Sequence, residues 1–435
     1  MTPLQQLASR EFFGIKLGLD AIRALTDALG QPHHQYLPVI LAGTNGKGSV
    51  AAFVSQGLHA AGVRVGRYTS PHLVHVRERF SVGLRDVGDH VLERVLQRVF
   101  DAETTLRARG ALPGPATYFE LTTAAALVLF REARVDVAVL EVGLGGRHDA
   151  TNVVAAPYAA ITSIAFDHMA QLGTSLAAIA AEKAGVVSRG ATVVSGVREH
   201  EAAAVIAGVC ERQDARLVLA HEDLEVETVE AGGRTTVTIT TPARRYGPLP
   251  LALRGRHQVD NAVVAVRLLE ALEAGGVGGG AGALASALSE ARWPGRLELI
   301  ARTPLPPLLL DGAHNPAGAS ALGRWLEAAG WTSVTLVVAC MRDKDVTGLL
   351  APLLPWAARV VTTTVEMPRA LPAADLAAAV QALAPAVPIA IEPAPATAVA
   401  VASRAGRPVV VAGSLFLVGA VRAAVAAGGE LVDPA

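Results

Sequence analysis

The run Leu37-Pro38-Val39-Ile40-Leu41-Ala42-Gly43-Thr44-Asn45-Gly46-Lys47-Gly48-Ser49 joins a strand-length apolar segment, 37–42, to a glycine-rich turn carrying one lysine, and a helix of small residues begins near Ser49. Backbone N–H groups at such a turn, together with the helix dipole, cradle phosphate. The common pattern G-x-x-x-x-G-K-[ST] has a glycine well before the lysine and a hydroxyl directly after it, the hydroxyl reaching Mg²⁺. Leu41 and Gly48 stand at those two positions here. The segment therefore reads as a nucleotide triphosphate site whose metal is held partly by residues elsewhere; the plainer alternative is a glycine-rich turn with no ligand.

Outward from this loop, apolar runs alternate with helix-length patterns, which predicts an α/β fold of parallel βαβ units with helices on both sheet faces. Strands are expected at 37–42, 64–68, 136–142, 158–164, 192–197 and 216–220, then at 307–311, 334–339, 359–364, 387–391 and 408–412. Val226 to Thr240 alternates β-branched and polar residues around Gly232-Gly233 and predicts an antiparallel hairpin, a small appendage. Gly275 to Gly282 reads as a flexible loop, with neither a basic residue nor a preceding strand. Trp293-Pro294-Gly295-Arg296 stops a helix before a new alternating series. The 435 residues divide accordingly into an N-terminal phosphate-loop ATPase-like domain over 1–293, a linker at 294–296 and a C-terminal Rossmann-like domain over 297–435. Ligands are expected in the cleft between them.

Lys and Arg total 38 against 39 Asp and Glu, so a net charge of −1 offers no general attraction for nucleic acid or an anionic membrane. Cys210 and Cys340, the only cysteines, lie in apolar runs and read as buried thiols of a reducing compartment, too few for a metal cluster. The opening Met1-Thr2-Pro3-Leu4-Gln5-Gln6 lacks the features of a secretion signal. Val409 to Val421 is broken by Gly413 and Ser414, short of the roughly 20 residues of a membrane span, and reads as a buried strand running into a helix. A cytoplasmic protein is expected, with no nucleic-acid or membrane partner.

Polar groups recur at the ends of the expected strands. Glu141 closes Val137-Ala138-Val139-Leu140 and is followed by Gly143-Leu144-Gly145-Gly146-Arg147, a place for a Mg²⁺ ligand beside a phosphate loop or for a solvated strand end. Ser70, in Thr69-Ser70-Pro71-His72, can present the hydroxyl missing at Gly48, or belong to a simple Ser-Pro turn. His168 follows Asp167 at a third strand end and can bind a divalent ion, although Mg²⁺ prefers oxygen. Asp149 is structural or substrate-facing. Lys183, on a helix from Ser175 to Ala184, pairs with Glu182 as a solvated face and receives no role from the residues alone. Asp311, before Gly312-Ala313-His314-Asn315-Pro316, can accept hydrogen bonds from a sugar, while Asn315 suits a helix cap. Arg296 can reach across the domain joint to a phosphate.

Gly43 through Ser49, Thr69 through Leu73, Glu141 through Asn152, Asp167-His168 and Asp311 through Pro316, in that order, resemble the folylpolyglutamate synthase and dihydrofolate synthase family of the Mur ligase superfamily. The resemblance implies ATP-dependent amide formation between a folate or dihydropteroate carboxylate and the amino group of L-glutamate, through an acyl phosphate. It implies that Thr44, Asn45, Gly46, Lys47, Gly48 and Ser49, with Asn261, Arg296 and Asp311, bind ATP. Ser70 and Glu141 hold one Mg²⁺, and Glu141 and His168 help hold a second. Lys47, Lys183 and His168 are implied to be catalytic, with Lys183 matching a lysine that the family carbamylates. Thr117, Tyr118, Phe119 and Glu120 match a dihydropteroate-contacting stretch, with His148, Asp149 and Ala150 on the same pocket and His314 on the substrate side. Read from periodicity alone, Tyr118 and Phe119 open an ordinary core helix through Leu129. Two departures stand out: His148, where the family usually carries a larger apolar residue, and Met169-Ala170-Gln171 after His168.

Both acceptor activities are expected, and most of the site can be built from one chain, which suits a monomer. The competing readings are another Mur-type amide ligase, acting on a cell-wall precursor or an amino-acid polymer, and a nucleotide-binding switch without catalysis. The joint presence of Lys47, Glu141 and His168 argues against the switch.

Overall fold

The computed structural model describes residues 1–10 and 18–428, so the end of the expected second domain, 429–435, lies outside the described residues. Strands β1 (Leu37–Ala42), β2 (Val65–Tyr68), β3 (Phe80–Val82), β4 (Arg85–Asp86), β5 (Val137–Glu141), β6 (Tyr158–Ile161), β7 (Thr192–Ser195) and β8 (Arg216–Leu219) form one sheet in the order β4-β3-β2-β5-β1-β6-β7-β8. β1 lies between β5 and β6, parallel to both, with Leu41 opposite Glu141 and Ala42 opposite Ile161. Its side chains alternate between two cores, as a strand buried on both faces requires. Val39 and Leu41 pack with helices Lys47–Ala60 and His257–Ala274, and Ile40 and Ala42 with Asp89–Ala108 and Tyr118–Glu132. Pro38 costs this central strand no rung: Leu37 N–H is the donor turned toward β5, to Asp136 O at 3.0 Å, and β6 pairs only from Val39.

Most expected strands are a residue or more shorter than the sequence predicts, as at 387–391, of which only Ile389–Ile391 forms. The segments 158–164 and 192–197 close at Ile161 and Ser195 because β1 ends at Ala42, and Thr162 and Ser163 turn instead toward the phosphate loop. The antiparallel edge, β3 on β2 and β4 on β3, was not foreseen. The expected hairpin is part of a three-stranded antiparallel sheet, β9 (Glu225–Ala231), β10 (Arg234–Thr240) and β11 (Arg245–Pro250), ordered β11-β10-β9. Gly232 and Gly233, at φ 56° and 74°, supply the two left-handed residues of the tight turn. Gly233 O accepts from Trp325 Nε1 at 3.0 Å, which docks the turn onto helix Pro316–Ala328.

The remaining strands, β12 (Glu298–Ile300), β13 (Leu308–Leu310), β14 (Val334–Val338), β15 (Ala357–Thr362), β16 (Ile389–Ile391) and β17 (Val409–Ala412), form a second sheet in the order β12-β13-β17-β14-β15-β16. All pairs are parallel except β12 with β13. Leu336 and Val338 face one core, Val337 and Ala339 the other. β17 runs into helix Leu415–Ala427, the strand-to-helix passage expected of Val409 to Val421. Among the described residues no helix is long and apolar enough to cross a membrane, and Cys210 and Cys340 are buried free thiols.

Candidate active site

The loop after β1 is laced to the segment after β6. Thr44 N–H donates to Ser163 O at 2.7 Å and Asn45 N–H to Ser163 Oγ at 3.1 Å, while Thr162 Oγ1 donates to Asn45 O at 2.6 Å. Gly43, at φ 146°, has no room for a side chain: a Cβ there would fall 2.0 Å from Thr162 Oγ1. Gly46, left-handed at φ 89°, caps helix Lys47–Ala60 without a side-chain hydrogen bond and lies against Asn261, whose Oδ1 would be 2.2 Å from an added Cβ. The first-turn N–H groups of this helix therefore have no side-chain cap and suit an anion.

Two lysines meet at one carbonyl. Lys47 Nζ donates to Gly43 O at 2.9 Å and to Thr44 O at 3.3 Å, and Lys183 Nζ donates to the same Gly43 O at 2.9 Å. Lys183 is 5% exposed, so the solvated face read from its pairing with Glu182 is corrected: Glu182 goes to Arg147 and Lys183 points inward. That helix is Leu176–Ala184, with Ser175 as its cap. Burial and then the Lys47 ammonium pull the Lys183 pKa down to about 7, against Asp167 and Asp149. Burial also lowers Lys47, with Glu141 and Asp167 opposing.

Glu141 is 5% exposed at the tip of β5, and its Oε2 accepts Ser70 N–H at 3.2 Å. Burial raises its pKa, a shift that Lys47, the Ser70 N–H, Arg296 and Arg67 oppose. Ser70, Glu141, His168, Lys47 and Lys183 line one cleft of about 680 Å³, together with the loop residues, Asn261, Arg296, Asp311 and His314. His168 is left-handed at φ 50° and its pKa is pulled to about 4, chiefly by burial, which keeps the imidazole neutral. Among the described residues, no three His, Cys, Asp or Glu side chains gather as a metal-holding group.

The cleft is closed by contacts between the two large sheets, and these centre on Asp167. Its carboxylate accepts from Lys344 Nζ at 2.5 Å and from Asn315 Nδ2 at 3.3 Å, and lies 3.5 Å from His314 Nε2. Burial alone would raise its pKa, but His314, His168 and Lys344 hold it well below the ordinary carboxylate range. Asn315 serves two purposes: Oδ1 accepts Gly318 N–H at 2.9 Å as the cap of helix Pro316–Ala328, while Nδ2 donates to Asn45 Oδ1 at 3.0 Å. Asp311 accepts the N–H groups of Leu297 and Ala313, both at 2.9 Å, so both oxygens hold backbone. Arg296 lies against Gly312, where a Cβ would fall 1.9 Å from its Nη1.

Thr117, Tyr118, Phe119, Glu120, His148, Asp149 and Ala150 are not among the residues lining this cleft. Thr117 and Glu120 form a reciprocal cap on helix Tyr118–Glu132, with Thr117 N–H donating to Glu120 Oε2 at 2.7 Å and Glu120 N–H to Thr117 Oγ1 at 3.2 Å. Asp149 holds the loop after β5 through the N–H groups of Gly143, Leu144 and Thr151. Phe119 borders the cleft indirectly, since a Cβ on the cleft residue Gly143 would fall 2.7 Å from its ring. Tyr118 lies under the Arg79 guanidinium, 5.1 Å from the ring centroid. His148 is exposed and Ala150 buried, and Met169-Ala170-Gln171 are exposed.

Thr162, Ser163, Lys344 and the reach of Asp167 escaped the sequence reading. Lys344 stands in Arg342-Asp343-Lys344-Asp345 beyond β14, a polar strand end of the same kind as those that were singled out.

The Mur ligase middle domain family matches residues 89–269, and the dihydrofolate synthetase C-terminal domain family matches 301–424. The dihydrofolate synthase/folylpolyglutamate synthase of Bacillus subtilis is 35% identical over 370 residues, 84% of this chain and 85% of that protein. The Mycobacterium tuberculosis folylpolyglutamate synthase solved with ADP and AMPPCP superposes with a TM-score of 0.90 at 33% identity, over 99% of this chain and 98% of the other. A bifunctional folylpolyglutamate synthase/dihydrofolate synthase with Mn, AMPPNP and L-glutamate bound superposes with a TM-score of 0.84 at 30% identity, over 98% of each chain. The chain spans 42% and 50% of two longer relatives from Haloferax volcanii and Halobacterium salinarum, named for folylpolyglutamate synthase and dihydropteroate synthase activities, at 38% and 37% identity over 82% and 94% of its own length. With the phosphate loop, the two-sheet cleft and these likenesses running through the same residues, the chain belongs to the folylpolyglutamate synthase/dihydrofolate synthase family of Mur-type ligases.

Proposed function

We infer that this chain is an ATP-dependent ligase that joins the amino group of L-glutamate to a carboxylate of a folate. The observation that carries this reading is the meeting of Lys47 and Lys183 at Gly43 O, beside a helix N-terminus, in a cleft to which both large sheets contribute. A carboxylate is a poor electrophile, so amide formation needs a leaving group. One carboxylate oxygen attacks the γ-phosphorus of ATP, the bond to ADP breaks, and an acyl phosphate results. The glutamate nitrogen then attacks the acyl carbon, phosphate departs with the bonding pair, and the nitrogen gives up a proton. Lys47 and the first-turn N–H groups offset the charge that develops on the transferring phosphoryl oxygens.

Ser70, Glu141 and His168 are the residues we assign to divalent metal, Ser70 and Glu141 to one ion and Glu141 and His168 to a second. A hydroxyl, a buried carboxylate and a neutral imidazole suit Mg²⁺ or Mn²⁺, whose remaining ligands are waters and phosphate oxygens, so a three-carboxylate cage is not required. When bound, such ions draw charge from the phosphate oxygens. Lys183 is assigned to carbamylation: its neutral amine attacks CO₂, loses a proton and becomes an anionic carbamate, and a pKa of about 7 supports that reaction near neutrality. Thr44 to Ser49, Asn261, Arg296 and Asp311 are assigned to ATP, and His314 to substrate.

Dihydropteroate is proposed as a second acceptor, with its ring along the wall that Tyr118 and Phe119 border and that Thr117, Glu120, Asp149 and Ala150 hold in place, and with the exposed His148 at the same pocket. The boundary at 294–296 is proposed as the division between two domains, with a complete site in one cytoplasmic chain. The test pairs the two acceptors. Purified protein with ATP, Mg²⁺ and L-glutamate is given dihydropteroate or tetrahydrofolate, and ADP and labelled amide are measured. Both form with the wild type and neither with Lys47→Ala; absence of product on both acceptors refutes the reading.

A further inference from the structure

We propose that Trp293 is a positioning residue of the nucleotide site, holding the start of the phosphate-loop helix, the strand leading to Ser70 and the linker carrying Arg296 in one stack. The proposal rests on the ATP reading above. On one side of the indole is Gly48: a Cβ there would lie 2.6 Å from Cε2, Cζ2 and Nε1 of Trp293. Gly48 sits within helix Lys47–Ala60, so a glycine is needed there for space rather than for backbone conformation. The indole thus fills the space that a side chain at position 48, such as the hydroxyl residue of common phosphate loops, would take.

The Arg67 guanidinium of β2 also packs on the indole, with Cζ 5.1 Å from the ring centroid. Its Nε is buried without a hydrogen bond, which leaves the indole face as a principal contact for this cation. Beyond the end of β2, Ser70 N–H donates to Glu141. Along the chain, Trp293 leads to Gly295, whose N–H donates to Glu298 Oε2 at 2.8 Å and whose carbonyl accepts Gly312 N–H at 2.8 Å. Arg296 follows, against Gly312. Trp293 is not among the cleft-lining residues, so it acts through Gly48, Arg67 and Arg296.

The test is calorimetric titration of MgADP into full-length wild type, Gly48→Ala, Trp293→Leu and the double variant, with thermal melts of each. Overpacking against the indole predicts that Gly48→Ala weakens ADP binding by about tenfold or more. The double variant is expected to bind ADP more tightly than Gly48→Ala, because leucine leaves room for the added methyl. Where Gly48→Ala does not fold, restored folding in the double variant supports the proposal and continued misfolding overturns it. In turnover, Trp293→Leu is expected to raise KM for ATP and leave KM for glutamate unchanged, a split that general destabilisation would not produce. ADP binding by Gly48→Ala equal to wild type, or a double variant no better than Gly48→Ala, overturns the proposal while the ATP reading stands. A wild type that binds no MgADP refutes that reading itself, and the proposal with it.

Discussion

Replacing Asp167 with asparagine tests the joint between the two large sheets. Asp167 and Lys344 bury their charges against each other, with side chains 8% and 11% exposed. Asn keeps an acceptor for the Asn315 amide but removes the charge, leaving the Lys344 ammonium buried without its partner. Breaking one side of a buried pair costs about 3–5 kcal/mol, and the retained hydrogen bond places this case at the lower end, about 3 kcal/mol. Lys344→Met removes the opposite partner at similar cost. The double variant orphans neither charge, so its loss falls short of the sum of the single losses by about 2 kcal/mol. Urea unfolding of wild type and the three variants, read by tryptophan emission and by retention of MgADP binding, measures this coupling. Additive losses would refute the reasoning, since they would mean the pair does not act as a unit.

Three further outcomes are expected. Protein equilibrated with ¹³C-bicarbonate should show a carbamate carbonyl signal that Lys183→Arg lacks, since an arginine does not offer a neutral amine. Thr117→Ala should cost about 1 kcal/mol in urea unfolding, with Thr117→Ser largely retaining the cap. His257 is held neutral, its pKa pulled to about 4 by burial and then by Arg296 and Arg324. Unfolding frees it to take a proton near its ordinary value of about 6.5, so its contribution is full above that pH and is lost as pH falls toward the folded value. His257→Asn should therefore flatten the acid loss of stability between about pH 6.5 and 4, read from urea midpoints across that range.

The sequence made the nucleotide site legible because a parallel α/β sheet gathers its chemistry at strand ends, and those ends announce themselves as a polar residue after an apolar run. Glu141, Ser70 and His168 are read that way, Lys47 from the glycine-rich turn after β1, and all four line one cleft. Three things hid the rest. Short antiparallel edges leave no period to read: β4 is only Arg85–Asp86, and β11 contains Gly247 and Pro248, residues that argue against a strand except at an edge. Burial of a polar residue depends on the fold, so Lys183 looked like a solvated partner of Glu182 until the helix was seen to turn it toward Gly43. Contacts between distant segments carry no local signal: Lys344 reaches Asp167 across 177 residues, and the Trp293 indole that fills the space beside Gly48 comes from just before the linker. Thr117 and Glu120 show the converse, a helix-cap spacing whose structural meaning was present in the sequence all along.

In the proposed reaction ATP activates the acceptor carboxylate before glutamate attacks it. Dihydropteroate carrying ¹⁸O in its carboxylate, incubated with the protein, ATP, Mg²⁺ and L-glutamate, should yield dihydrofolate and an equal amount of inorganic phosphate bearing one ¹⁸O atom, because that oxygen leaves the carbon with the phosphoryl group. Unlabelled phosphate accompanying the amide, or ATP hydrolysis with no amide formed, would contradict it.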